Sequence, residues 1–300
     1  MHGWIILDKP LGLGSTQGVS AIKRALRDGG YGRFKVGHGG TLDPLATGVL
    51  PIAIGEATKL AGRMLDSDKV YEFTVGFGVQ TDTLDLEGRI VAESDVRPTL
   101  AAVEAVLPRF TGSIDQVPPA YSALKIDGER AYDLARAGEE VVLATRAVTI
   151  HSLALSQRGS AADEAGLNSI TLTAHASKGT YIRSLARDIA LALGTVGHVT
   201  HLRRTRAGPF GLSHAISLDK LSEVGHGRAL EDILLPLRAG LDDIPALPLS
   251  PDQAGALRQG RKLIGIAVHD GQYFATLHDV PVALVDVSDH EVRVVRGFNL

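Results

Sequence analysis

Cysteine is absent from this chain of 300 residues. That excludes disulfides, a thiolate nucleophile and cysteine-ligated zinc, and it fits a reducing cytoplasm, where the protein is expected to act. Long apolar runs are lacking too: none approaches the roughly 18 residues that a membrane-spanning helix needs. The apolar stretch Trp4–Leu7 is short and has no basic segment before it, which suits a first strand and not a signal peptide. A basic surplus is missing as well, since the formal net charge is −3. What remains is ordinary: 44% apolar and 22% charged residues, on a chain long enough for one large domain and a small one.

The distribution of charge says more than its sum. Residues 1–60 carry seven Lys/Arg against four Asp/Glu, and residues 197–210 carry three arginines and no acid. Residues 241–300 reverse the balance, with eight acids and five bases. Local basic surface is what phosphate contacts require, whatever the overall isoelectric point. Charge alone fits a solvated face equally well.

Periodicity gives the order of elements. After the Trp4 strand, closed by Asp8-Lys9-Pro10, Ser15 or Thr16 is placed to cap a helix to about Arg27, with Val19, Ile22 and Leu26 on one face. A glycine-rich loop is expected from Gly37 to about Gly48, then a half-buried strand in which Tyr71, Phe73, Val75 and Phe77 alternate with polar residues. Pro98 opens a helix to about Leu107, and Arg130–Ala137 reads as another, ended by Gly138. Ser169–His175 alternates as a strand and leads into a helix where Ile182, Leu185, Ile189 and Leu193 recur at helical spacing before Gly194. Helices mixed with alternating strands outside strict βαβ order imply an α+β fold with a largely antiparallel sheet.

Prolines at 236, 245, 248 and 251, around Asp242-Asp243, mark a linker. Beyond it, a short helix over Asp252–Gln259 and several short strands with an Asp270-Gly271 turn signal form a small β-rich module. The expected division is 1–240 for the main domain and 241–300 for the module.

The densest motif is Gly37-His38-Gly39-Gly40-Thr41-Leu42-Asp43-Pro44-Leu45-Ala46-Thr47-Gly48. Its glycines permit tight turns and close backbone approach to a ligand, and Pro44 biases Asp43 toward an extended conformation. A carboxylate on so stiff a loop can serve as nucleophile or base. An Asp-Pro turn in isolation is explained as readily by structure.

Taken whole, this loop resembles the catalytic motif of the TruB family of tRNA pseudouridine synthases. Other segments match that family in the same order. They are Leu7-Asp8-Lys9-Pro10-Leu11-Gly12, Gly55-Glu56-Ala57-Thr58-Lys59 and Asp66-Ser67-Asp68-Lys69-Val70-Tyr71. Next come Pro118-Pro119-Ala120-Tyr121-Ser122-Ala123-Leu124-Lys125, then Lys178-Gly179-Thr180-Tyr181-Ile182-Arg183-Ser184-Leu185, and the basic turn His201-Leu202-Arg203-Arg204-Thr205. The resemblance spans roughly residues 3–240, and its specificity lies in several short motifs kept in register. Two positions depart from the pattern. Gly39 stands where the family more often has Thr or Ala, and Gly14 replaces the usual hydroxyl residue. Both changes are expected to loosen their loops.

The resemblance implies a pseudouridine-synthase-like mixed, largely antiparallel sheet with flanking helices, followed at 241–300 by a small PUA-like RNA-binding module. It implies isomerisation of uridine-55 in the T-loop of tRNA, a reaction without oxidation or hydrolysis that demands no cofactor and no metal. Asp43 would be the essential carboxylate and Arg183 its partner. The target uridine would be flipped out of the folded loop and stacked on Tyr71, which is also a candidate for helping to remove the C5 proton. Tyr181 and Leu202 would line the remaining walls, and His38 would fill the space that the base vacates. Lys125–Arg130 and the helix after it would form a flap, and Arg203, Arg204 and Arg206 would contact phosphates. The implied partner is the tRNA T-arm, with no membrane and no obligate protein partner, the protein acting as a monomer. Whether Asp43 attacks the sugar, adds to the base or abstracts a sugar proton is left open by the residues.

Three other readings compete. Gly12-Leu13-Gly14 follows a strand, but a dinucleotide fingerprint needs its third glycine at position 17, which is Gln17. Eleven histidines prompt a metal hydrolase, yet no His-Glu-x-x-His pattern occurs, and His198 and His201 stand three apart without one. A non-catalytic tRNA-binding chaperone on the same fold is opposed by the intact set Asp43, Tyr71 and Arg183.

Overall fold

The computed structural model describes residues 1–122, 124–126, 128–137, 141, 143–156 and 166–300. The chain opens with β1 (Gly3–Lys9) and turns at Gly12, which has φ +82°, into α1 (Ser15–Asp28). Val19, Ile22 and Leu26 form the buried face of α1, as their spacing implies. Its cap differs from expectation. Gly14 is the N-cap, and its N–H donates to the Gln17 side chain at 2.7 Å, which is the half of a capping box that needs no hydroxyl at the N-cap. Ser15 is buried instead, and its hydroxyl exchanges hydrogen bonds with the Leu42 N–H (2.8 Å) and carbonyl (2.9 Å). The turn at Gly14 is held by Gln17, and Ser15 ties α1 to the glycine-rich loop.

That loop is bounded by β2 (Val36–His38) and β3 (Ala46–Ile54) and is shorter than expected, because both of its ends are in strands. Next come α2 (Ala61–Asp66) and β4 (Lys69–Phe77), whose alternation buries Phe73, Val75 and Phe77. A hairpin of β5 (Val79–Thr81) and β6 (Ile90–Glu93) leads to α3 (Leu100–Val106), capped by Thr99 and not opened at Pro98. β7 (Gly112–Gln116) is followed by the small hairpin β8 (Lys125–Ile126) and β9 (Glu129–Arg130), then α4 (Ala131–Arg136). This hairpin and α4 occupy the expected flap; Asp127 within it and Gly138 lie outside the described residues.

The rest of the main domain is β10 (Arg146–Leu155), β11 (Ser169–Ala176), α5 (Ile182–Ala192), β12 (Gly197–Ala207), β13 (Phe210–Gly211), β14 (Ala215–Ile216), α6 (Leu218–His226) and β15 (Leu235–Pro236). Among the described residues one sheet takes eleven strands, with the path β14-β1-β3-β12-β4-β11-β10-β7 and with β13, β15 and β2 beside β12, β1 and β3. The pairs β1–β14 and β3–β12 are parallel and its other described pairs antiparallel. This is the α+β fold with a largely antiparallel sheet that the pattern implied. One face of β4, β11 and β12 packs on Ile182, Leu185, Ile189 and Ala190 of α5. At the other end of the sheet, α1 and α6 cover Ile5, Leu7, Leu50 and Ile52.

The last sixty residues form β16 (Ala246–Pro248), α7 (Pro251–Arg258), β17 (Leu263–Ile264), β18 (Gly271–Leu277), β19 (Val280–Ser288) and β20 (Glu291–Gly297), in a separate sheet ordered β16-β18-β19-β20-β17. Ser250 and Gln253 make a reciprocal capping box on α7. The hairpins turn at His278-Asp279 and Asp289-His290, all four residues at positive φ, whereas Asp270-Gly271 only leads into β18, of which Gly271 is the first residue. The proline-rich segment is no loose tether. Leu241 and Ile244 are buried in a cluster with Trp4, Leu284 and Phe298, so the small sheet is docked on β1. Burying side chains of this size contributes about 1.5–3 kcal/mol each. Arg63 adds polar contacts to Asp243 and Gln272 across the same junction.

Candidate active site

Four anchors hold the glycine-rich loop. The Lys9 ammonium, on a fully buried residue, donates to the carbonyls of Leu13 (2.6 Å), Pro10 (3.1 Å) and Pro44 (3.2 Å). Gly12 N–H donates to Pro44 O at 2.8 Å, and Ser15 holds Leu42 as described. The fourth anchor is Arg204, which donates to Val49 O (2.7 Å), Thr41 O and Gly40 O (both 3.2 Å). Gly48, at φ +100°, lets β3 run against β12, since a Cβ there would collide with the Arg204 carbonyl. At Gly39 an added Cβ would lie 2.6 Å from Met64 Cβ, so this departure seats the loop closer to α2 and does not loosen it.

So braced, the loop sets Asp43 on the wall of a cavity of about 900 Å³. Arg183 meets it from the first turn of α5: its Nη2 lies 3.0 Å from Asp43 Oδ2 and its Nη1 3.5 Å from Asp85 Oδ2. The guanidinium also donates to Thr83 O (2.8 Å) and Tyr121 O (3.0 Å), and its side chain is only 8% exposed. A cation at a helix N-terminus opposes the helix dipole; two carboxylates and two carbonyls offset that here. Asp43 is 41% exposed, so one partner is fixed and dry while the other faces the cavity.

The cavity gathers most of the residues singled out in the sequence. Tyr71, Tyr181 and Leu202 line it with Asp43 and Arg183. Tyr181 is held by its N–H bond to the Gln116 side chain (2.8 Å) and has the Arg146 guanidinium 5.9 Å from its ring centre. His38 is not on the lining. It sits in β2, its Nδ1 buried without a partner among the described residues, and burial followed by the nearby Arg204 lowers its proton affinity.

The arginine expectation needs correction. His201 to Arg206 is part of the strand β12, not a turn, and period-two alternation with a bulge between Arg204 and Arg206 sends the side chains different ways. Arg204 is 1% exposed and spent on three carbonyls, so it braces the loop and does not reach a phosphate. Arg203 is half-buried and paired with Asp8 at 2.8 Å, whereas Arg206 is exposed.

Three contributors were not singled out. Asp85 lies in the β5–β6 connection, where its carboxylate accepts from Thr83 Oγ1 (2.5 Å) and Glu87 N–H (3.0 Å) beneath Arg183. The signal was the dense run Thr81-Asp82-Thr83-Leu84-Asp85, a turn-forming composition. Lys69, on the lining, donates to Met64 O and Leu65 O. Burial pushes both Lys9 and Lys69 down to about 8; Asp43 opposes the shift at Lys9, and Arg204 adds to it at both. Ser122 Oγ, also on the wall, has no partner among the described residues.

Comparison with known proteins gives the class that this fold and cavity define. Residues 27–182 match the model of the TruB family pseudouridylate synthase N-terminal domain, and residues 183–242 match that of the tRNA pseudouridylate synthase B C-terminal domain. The chain belongs to the TruB family of tRNA pseudouridylate synthases, which are isomerases. Relatives called tRNA pseudouridine synthase B include one from Novosphingobium aromaticivorans, 69% identical across 100% of this chain and 98% of its own. Another, from Zymomonas mobilis, is 60% identical across 100% and 96%. A third, from Caulobacter vibrioides, is 50% identical across 88% and 82%. The fold is also that of the chain matched in the crystal structure of the archaeal box H/ACA sRNP Nop10-Cbf5 complex, with TM-score 0.71, 23% identity and coverage of 99% and 86%. No helix among the described residues is long and apolar enough to cross a membrane.

Proposed function

We propose that this chain converts uridine-55 in the T-loop of tRNAs to pseudouridine, with Asp43 as the essential carboxylate. The observation that carries the reading is the half-exposed Asp43 on the cavity wall, ion-paired at 3.0 Å to a buried Arg183. A uridine inside a folded T-loop must leave its stack to be reached. Tyr71 offers it an aromatic face and Tyr181 and Leu202 offer walls, all three on the lining. The reaction breaks N1–C1′ and forms C5–C1′. The C5 proton departs and N1 gains one, so substrate and product contain the same atoms and no external reductant enters.

His38, behind the lining, fills the place of the flipped base. Arg206 contacts phosphate directly, and Arg203 does so on leaving Asp8. The module over 241–300 acts as a PUA-like RNA-binding unit, and the protein works as a cytoplasmic monomer. The test is Asp43→Asn with a T-arm hairpin, following pseudouridine by chemical labelling. Turnover is lost while RNA affinity stays within a few-fold. Turnover near the wild-type rate would remove Asp43 from the centre of the mechanism, and pseudouridine at another position would overturn the substrate assignment. A wild-type protein that binds the hairpin without modifying it would favour the chaperone reading.

A further inference from the structure

The sheet has a second face, turned away from the cavity. Ala174 and Ala176 of β11 are buried under the α5 side, so strand alternation points His175 the opposite way. Two residues from other segments meet it there. Asp68 precedes β4 and is held by Gly208 N–H donating to its carbonyl at 2.9 Å. His151 sits in β10, where the register with β11 shifts between Ile150 and Ser152, so β10 carries one extra residue at that point. Such a bulge re-aims a side chain, and here His151 comes out beside His175.

Asp68 Oδ2 lies 3.1 Å from His151 Nε2 and 3.7 Å from His175 Nε2, and the two rings are 4.7 Å apart between centres. All three donor atoms fall within 4.8 Å of one another. Ligand atoms at zinc's bond length of about 2.0–2.1 Å, arranged tetrahedrally, stand about 3.4 Å apart. The two carboxylate–imidazole separations bracket that spacing.

We propose that Asp68, His151 and His175 form a binding site for a divalent transition metal ion of the zinc class, with three protein ligands and one position open to solvent. Two imidazoles and one carboxylate suit zinc and its neighbours, whereas calcium and magnesium prefer oxygen ligands alone. The side chains are 43%, 38% and 30% exposed for Asp68, His151 and His175, which leaves an approach for the ion and for a water as fourth ligand. Arg206 Nη2 stands 3.4 Å from His175 Nε2 and competes for the same nitrogen; being exposed, it can swing aside. A bound ion would pin the turn before β4 to β10 and β11, stiffening the strand that carries Lys69 and Tyr71 to the cavity.

Isothermal titration of zinc into EDTA-treated full-length protein tests this without reference to catalysis. One equivalent binds. Loss of an outer partner alone typically weakens a metal site about 10–100-fold, so His151→Ala, His175→Ala and Asp68→Asn should each weaken binding at least about tenfold. His201→Ala, exposed on the same face of β12, leaves binding unchanged, and Arg206→Ala binds as tightly or more tightly. Circular dichroism of the metal-free variants establishes that each is folded, and visible absorption of bound cobalt reports nitrogen and oxygen ligation independently. The proposal is overturned if stoichiometric binding is absent, if both histidine variants bind zinc like the wild type, or if His201→Ala weakens it as much as they do. Weaker binding by Arg206→Ala would likewise overturn it.

Discussion

Removing Arg183 should cost both stability and rate, and the two losses can be separated. Its guanidinium is 8% exposed and serves Asp43, Asp85, Thr83 O and Tyr121 O at once. Arg183→Ala strands Asp85, whose side chain is 11% exposed, while Asp43 at 41% can turn to solvent. Breaking a buried pair from one side costs about 3–5 kcal/mol, and an exposed pair only about 0–1 kcal/mol. Water from the adjoining cavity can reach the freed carbonyls, so the expected loss is at the lower end, about 3 kcal/mol. Urea unfolding at neutral pH measures it. Adding Asp85→Asn removes the stranded charge and should recover about 1–2 kcal/mol, the size of a contact coupling. Asp43→Asn should change stability by less than about 1 kcal/mol while abolishing turnover. The reasoning fails if Arg183→Ala unfolds within about 1 kcal/mol of wild type, or if the double variant is no more stable than the single.

The remaining expectations follow from the anchors and the docked module. Lys9 has a folded pKa of about 8, below its ordinary value, so between pH 8 and about 10.5 the unfolded chain holds the extra proton and stability rises with pH. The difference in unfolding free energy between wild type and Lys9→Met should therefore move in favour of wild type by up to about 1.4 kcal/mol per pH unit in that window; a flat difference refutes it. Arg204→Met should lower the melting temperature and the rate while leaving the salt dependence of RNA binding intact. Arg206→Ala should instead reduce the slope of log K against log salt by about 0.7–0.9, and the reverse pattern would contradict the burial argument. A chain ending near Pro245 exposes Trp4, Leu241 and Ile244 through the loss of Leu284 and Phe298, so it should melt well below the full chain. An unchanged melting temperature would show that the module is independent.

What was legible in the sequence follows from periodicity and local motif chemistry. The face of α1, the alternation in β4 and β11 and the spacing in α5 each needed only their own residues. Asp43 and Arg183, 140 positions apart, were paired only through the family that their motifs resemble, and they stand 3.0 Å apart. Arg204 was misread because adjacent basic residues look alike until a strand assigns them opposite faces, and which face is dry depends on the partner strand. The lysines at 9 and 69 were opaque for the same reason: a buried ammonium is satisfied by carbonyls, and carbonyls leave no trace in composition. Hairpins turned by His278-Asp279 and Asp289-His290 lack the Asn-Gly or Asp-Gly signature, although their positive φ does the same work. The proline-rich stretch announced a boundary, but its buried leucine and isoleucine decided that the boundary is a joint.

Gly39 and α2 constrain how this enzyme can exchange parts with its relatives. The clash at position 39 would be with Met64 Cβ, an atom that every residue except glycine possesses, so trimming Met64 to alanine would not relieve it. A loop bearing Thr or Ala at this position needs a helix seated a little farther out. Loop and helix therefore go together: a chimera that takes a loop bearing Thr or Ala at position 39 and keeps this α2 meets the collision, whereas one that takes residues 37–66 from that donor brings the matching helix with it.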